Sequence, residues 1–92
     1  MRILSVELKK IKPEKTLRGF ASCIIAGELN FKLTSMAIHC DNHRYWIVFP
    51  QIKTINGECF YAYVPLDKHT HLTIEKRVIE KYMKEVMEND IS

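Results

Sequence analysis

The sequence predicts an α+β domain: a small antiparallel β-sheet of about five strands with one C-terminal α-helix packed on one face. Three observations carry that expectation. Up to Val64, apolar residues recur at every second position in several short stretches, which is the period of half-buried strands. After Pro65 they recur at helical spacing. Between the two regimes lies Phe49 to Asp67, with two of the three prolines and the Asn56-Gly57 dipeptide.

Taken in order, Leu4, Val6 and Leu8 alternate with Ser5, Glu7 and Lys9, as one strand. Lys12 to Thr16, containing Pro13, reads as a charged turn. Phe20 to Ile25 forms a second strand and Ala26-Gly27-Glu28 a tight connection. The run from Leu29 to Ile38 continues as a third strand with a bend near Thr34-Ser35. Asp41-Asn42-His43 is a polar turn. Tyr45 to Phe49 is aromatic and β-branched, the strongest strand signal of the chain. It reads as the central strand, and both its faces are apolar. One face is expected under the helix, the other under a partner subunit or a bent part of the sheet. Asn56-Gly57 suits a two-residue primed turn, which needs positive φ at both central positions. It leads into a fifth strand, Cys59 to Val64. Pro50 and Pro65 bracket the hairpin, because proline gives a ladder no N–H.

The helix is expected from about residue 68 or 71 to about 88. Leu72, Ile79, Met83 and Val86 form its apolar stripe, widened by Val78 and Tyr82. Asp67 or Thr70 caps its start. Glu80–Lys84 and Lys81–Glu85 are pairs at i,i+4, and Asn89 to Ser92 should fray. The strands and helix make one domain over residues 1–92.

At 92 residues the core is small, and an oligomer would enlarge it. The 47% hydrophobic content is that of a globular chain. No apolar run approaches the ~20 residues of a membrane span. The opening residues lack the continuous apolar stretch of a secretion signal, and a cytoplasmic location is expected. Cys23, Cys40 and Cys59 then read as reduced, mostly buried thiols. The net charge of +3 is uneven. Residues 1–18 hold six bases against two acids, whereas residues 68–92 are balanced. A basic patch on the first strand attracts nucleic acid; lysines are also the usual covering of an edge strand.

His39-Cys40-Asp41-Asn42-His43 and His69-x-His71 contain zinc-ligand residue types, but the paired short spacings of a structural site are missing. Nothing local places a cysteine against a histidine that a third group orients, and no phosphate-cradling glycine loop is present. No cofactor, metal or catalytic residue is assigned, and a non-enzymatic protein is expected. Phe60, Tyr61 and Tyr63 along one strand, with Phe20, Phe31, Tyr45 and Trp46 elsewhere, can stack on bases, or form a core or dimer interface.

Phe49-Pro50, Lys53-Thr54, Asn56-Gly57-Glu58 and Pro65-Leu66-Asp67 resemble the signature of the SpoVG (stage V sporulation protein G) family. There the stretch reads roughly Met-Pro, basic residues and Thr, Asp-Gly-Glu, then His-Pro-Ile-Asn. The resemblance extends over most of the chain. It implies a strongly bent sheet that dimerises through strands, with a terminal helix, in a regulator of septation and sporulation. Several such proteins bind DNA or RNA, through basic residues before the hairpin and around the helix start.

Carried over, Lys53 matches one basic position and Ile52 replaces its neighbour. Phe60-Tyr61 stands for the usual Arg-Asp, and Val64 for the His before the second proline. His71 takes the place of an arginine early in the helix, with Lys68 nearby. The nucleic-acid-binding residues implied are Lys53, Lys68, His71 and Arg77, with Lys10 from the basic first strand. The apolar replacements also suit a more buried hairpin or a protein partner at Ile52, Ile55, Phe60 and Tyr61, as in an adaptor for cell division.

Overall fold

The computed structural model describes the backbone of residues 2–91 and the side chains from Arg2 to Val86. Four strands, β1 (Arg2–Glu14), β2 (Leu17–Ala26), β3 (Phe31–Asp41) and β4 (Arg44–Val48), form one antiparallel meander in the order β1-β2-β3-β4. A separate two-stranded hairpin follows, β5 (Gln51–Lys53) and β6 (Cys59–Tyr61), and then the helix α1 (Lys68–Ile91). The α+β class predicted from periodicity is the class observed.

Alternation sets which face each strand buries. Val6 pairs with Cys23, Cys23 with Leu33, and Ile38 with Ile47, so these side chains share the helix-facing side. Ala21, Cys23, Ile25, Met36, Ile38 and Ile47 are buried there against Ile74, Val78 and Tyr82 of α1. The opposite face, with Phe20, Ala37 and Val48 in register, is partly exposed. Gly19 is fixed by close approach: a Cβ there would stand 2.8 Å from the carbonyl oxygen of Lys9.

Four expectations are corrected. First, β1 runs past Pro13 to Glu14 and turns at Lys15-Thr16, with Lys15 at φ 55°. Proline is accommodated because β1 is an edge strand. The bend at Thr34-Ser35 does occur, with Ser35 at φ 62° and a register shift opposite Ser22.

Second, Tyr45–Phe49 is not central. β4 is the other edge of the sheet, because the chain breaks at Pro50 and the hairpin peels away instead of adding a fifth strand. Its inward residues Ile47 and Phe49 are buried. On its other face Trp46 is half-buried and stacks on His39, ring centroids 5.6 Å apart.

Third, the two turns exchange characters. Asn42-His43 is the two-residue turn with both φ positive, 51° and 65°. At Asn56-Gly57 only Gly57 has positive φ, 85°. Thr54 O accepts the Gly57 N–H at 3.0 Å, and the Thr54 N–H donates to Glu58 O at 2.8 Å. The result is a three-residue loop with glycine at the left-handed position. Cys59, just beyond, is exposed rather than buried.

Fourth, the apolar stripe of α1 is centred on Ile74, Val78 and Tyr82, while Leu72 and Met83 are exposed. Asp67 is the cap: its Oδ1 accepts the Thr70 N–H at 2.7 Å and its Oδ2 the Thr70 hydroxyl at 2.9 Å. Lys81 meets Glu85 at 3.7 Å as the sequence anticipates, whereas Glu80 meets Lys76 at 4.0 Å. The helix continues to Ile91, past the expected end; Ser92 lies outside the described residues.

Candidate nucleic-acid interface

The helix start and the β4 edge frame a cleft in the surface. It encloses about 680 Å³ and is walled by Asp41, Asn42, Arg44 and Trp46 on the sheet and by His71 and Glu75 on α1. The β3–β4 turn delivers Arg44 to its mouth. The His71 ring sits edge-on to Phe49 at 5.1 Å, and its Nε2 is 3.5 Å from the Glu75 carboxylate. Glu75 is itself held by the Ile47 N–H, which donates to Oε2 at 3.3 Å. Lys68 opens the helix one turn before His71 and shares a shallower recess with it, over Pro65, Leu66 and Leu72. The positive end of the helix dipole adds to these cations. Asp67 counters them; hydrogen bonds from the Thr70 N–H and then the Thr70 hydroxyl hold its carboxyl below the usual aspartate range.

The structure thus brings Lys68 and His71 together and adds Arg44, which sequence reasoning missed, and Trp46, which it named only as one of several aromatics. Arg44 falls between the polar turn Asp41-Asn42-His43 and the strand expected from Tyr45, in neither, and Trp46 reads as part of a central strand. Only the knowledge that β4 is an edge, folded beside α1, points to them.

The other three residues lie elsewhere. Lys53 ends β5, paired in register with the exposed Cys59. Arg77 is six residues past His71, about 120° around the helix at 3.6 residues per turn. It faces β1, across a groove from Leu4 and Val6. Lys10 is on that same side, 4.0 Å from Glu85. The five residues therefore occupy three surfaces and not one.

The hairpin's apolar replacements are open to solvent. Ile52 is 54% exposed, its partner Phe60 51%, and Ile55 at the turn fully exposed. The expectation of a more buried hairpin is overturned, because β5 and β6 project beyond the sheet. Only the hairpin's base is anchored: the Ala62 N–H donates to Pro50 O at 2.7 Å, and the Tyr63 hydroxyl to Thr34 O at 2.6 Å.

Among the described residues no group of three or more His, Cys, Asp and Glu side chains is placed to hold a metal ion. No helix among them is long and apolar enough to cross a membrane.

A four-stranded meander crossed by one C-terminal helix, with a projecting hairpin between them, is a small α+β domain of the sheet-and-helix kind. The SpoVG family model matches residues 1–84 of it. The chain belongs to the SpoVG family. Comparison with curated proteins returns no significant match.

Proposed function

We propose that this SpoVG-family protein is a non-enzymatic, cytoplasmic regulator that binds DNA or RNA at the cleft between β4 and the start of α1. The observation that supports this most is the convergence of Arg44, Trp46 and His71 around one cleft, beside Lys68 at the positive end of a helix. Arginine and lysine contact phosphates, and an indole edge or face offers a base a stacking surface. Lys53, on the separate surface of the hairpin, would contact phosphates there. Asp41 and Glu75 limit the affinity, so binding is weak, with a modest salt slope set by the few cations engaged. The process served, by family resemblance, is control of septation and sporulation.

The test is fluorescence anisotropy of labelled DNA and RNA oligonucleotides over a range of salt concentrations. Arg44→Ala and Lys68→Ala are each expected to weaken binding and to reduce the salt slope by about one. Unchanged slopes in both variants would exclude the cleft.

The exposed hairpin favours a second reading, a protein-binding adaptor in cell division or a homodimer contact. Large exposed apolar side chains clustered on one arm mark interaction sites, and Ile52, Ile55, Phe60 and Tyr61 form such a cluster. Because Phe60 is exposed, Phe60→Ser should leave the melting temperature nearly unchanged while lowering self-association in sedimentation. A sedimentation profile identical to that of the unmodified chain removes the dimer form of this reading.

A further inference from the structure

We infer that the groove between β1 and α1 takes an extended acidic peptide segment of a partner protein, added as a strand to the outer edge of β1. The groove lies on the opposite flank of the helix from Arg44 and Trp46, and the inference does not depend on nucleic-acid binding.

The sheet order leaves one side of β1 without a neighbouring strand. A backbone edge of that kind presents alternating N–H and C=O groups that require partners. The two halves of β1 treat this edge differently. The second half carries Lys9, Lys10, Lys12 and Pro13, which are the usual devices against strand addition. In the first half only the segment Leu4-Ser5-Val6, between Arg2 and Glu7, has no charge and no proline. A register shift between Ile3 and Ser5 makes Leu4 the extra residue of a bulge, and its side chain is 49% exposed.

The missing charges are supplied across the groove by the helix. Arg77, Lys81 and Lys84 line its far wall with a single acid, Glu80, and the space enclosed is about 480 Å³. Glu85 engages Lys81 at 3.7 Å and Lys10 at 4.0 Å. No carboxylate of the described residues forms an ion pair with Arg77.

An extended peptide satisfies all of these features together. Its backbone supplies both donors and acceptors to β1. Its side chains alternate, so the set turned into the groove carries carboxylates to Arg77, Lys81 and Lys84 while the stems of those side chains cover Leu4 and Val6. From Arg77 to Lys84 the helix wall rises about 10 Å, the span of about three extended residues. A phosphodiester chain fits less well. It cannot donate to the edge carbonyls, and Glu80 stands within the groove.

The test is ¹⁵N–¹H NMR on the full chain. It is titrated in parallel with the acetylated, amidated peptide Glu-Val-Glu-Ile-Glu-Val, the matching Lys-Val-Lys-Ile-Lys-Val peptide, and single-stranded oligothymidylate. The acidic peptide is expected to shift the amides of residues 3–7 and 77–84. The double reversal Arg77→Glu, Lys81→Glu should weaken it about tenfold or more and transfer preference to the basic peptide. Both side chains are at the surface, and a second variant, Leu4→Lys, places a guarding charge on the edge and should abolish the shifts. Four outcomes overturn the inference. They are no binding of the acidic peptide, equal binding of both peptides to the unmodified chain, displacement of the acidic peptide by oligothymidylate, and shifts of residues 3–7 that grow with protein concentration alone. The last would identify a second copy as the occupant.

Discussion

The Glu75 carboxylate accepts the backbone N–H of Ile47, 3.3 Å away and 28 residues apart in sequence. A helix side chain thereby stands in for the neighbouring strand that β4 lacks on its outer edge. Glu75→Ala removes this acceptor. It is expected to cost about 1–2 kcal/mol in urea unfolding and to accelerate hydrogen exchange at the Ile47 amide. Glu75→Gln retains an acceptor and should lose less. Equal losses in the two variants would mean that packing, not the hydrogen bond, supplies the stability.

Asp67 predicts an acid limb in the stability curve. Its carboxyl is held below the ordinary aspartate value by the Thr70 N–H first and the Thr70 hydroxyl second. A pKa lowered by folding stabilises the fold above the unfolded-state value, near 4, and that contribution disappears as pH falls through the lower folded value. Asp67→Ala should therefore melt earlier than the unmodified chain at neutral pH, with the gap closing in acid. Asp67→Asn, which keeps a cap oxygen, should lie between them.

Tyr63 predicts the alkaline limb. Burial, reinforced by the nearby Cys23, pushes its hydroxyl up to about 12, and that hydroxyl donates to Thr34 O at 2.6 Å. A raised folded-state value gives stability that is complete below the unfolded-state pKa of about 10 and is lost as pH climbs toward 12. Ultraviolet titration of the tyrosines should show a last step near that value, and Tyr63→Phe should remove it. The same variant loosens the base of the hairpin at a cost of about 0.5–1.5 kcal/mol.

Gly19 separates close packing from mere glycine content. Its missing Cβ would meet backbone, the Lys9 carbonyl oxygen at 2.8 Å, so Gly19→Ala must move β1 relative to β2. A loss of about 1–3 kcal/mol is expected. A Cβ at Gly27 would meet nothing closer than Leu29 O at 3.8 Å, and Gly27→Ala should be close to neutral. Similar losses at both positions would contradict the close approach of the two strands.

The class of the fold, the helix cap and the bend in β3 were legible because each rests on local chemistry. Alternation across Leu4–Lys9 and a short-range acceptor at Asp67 need no knowledge of distant residues. The place of β4 in the sheet was not legible. An aromatic, β-branched run signals a strand but not its neighbours, and the break at Pro50 decides that β4 becomes an edge. The apolar stripe of α1 was read too far toward Leu72 and Met83, since spacing alone does not reveal which side of a wide stripe meets the sheet. Family resemblance pointed to Lys53, Lys68, His71 and Arg77, and the basic first strand to Lys10; the helix separates Lys68 and His71 from Arg77. Arg44 and Trp46 belong to the cleft only through pairing register and the position of α1.

Each of the four sheet strands pairs with its immediate sequence neighbour, so every ladder closes over a short stretch of chain. Such topologies are quick to assemble. The covering element follows all of these strands in the chain and so leaves the ribosome after them. Ala21, Cys23, Met36 and Ile38 are complete as a sheet face long before Ile74, Val78 and Tyr82 have emerged to cover it. During synthesis this chain passes through a stage in which its most apolar surface is formed and open. Chaperone demand in the cell should peak in that interval, and truncations ending before Ile74 should aggregate although every strand is present.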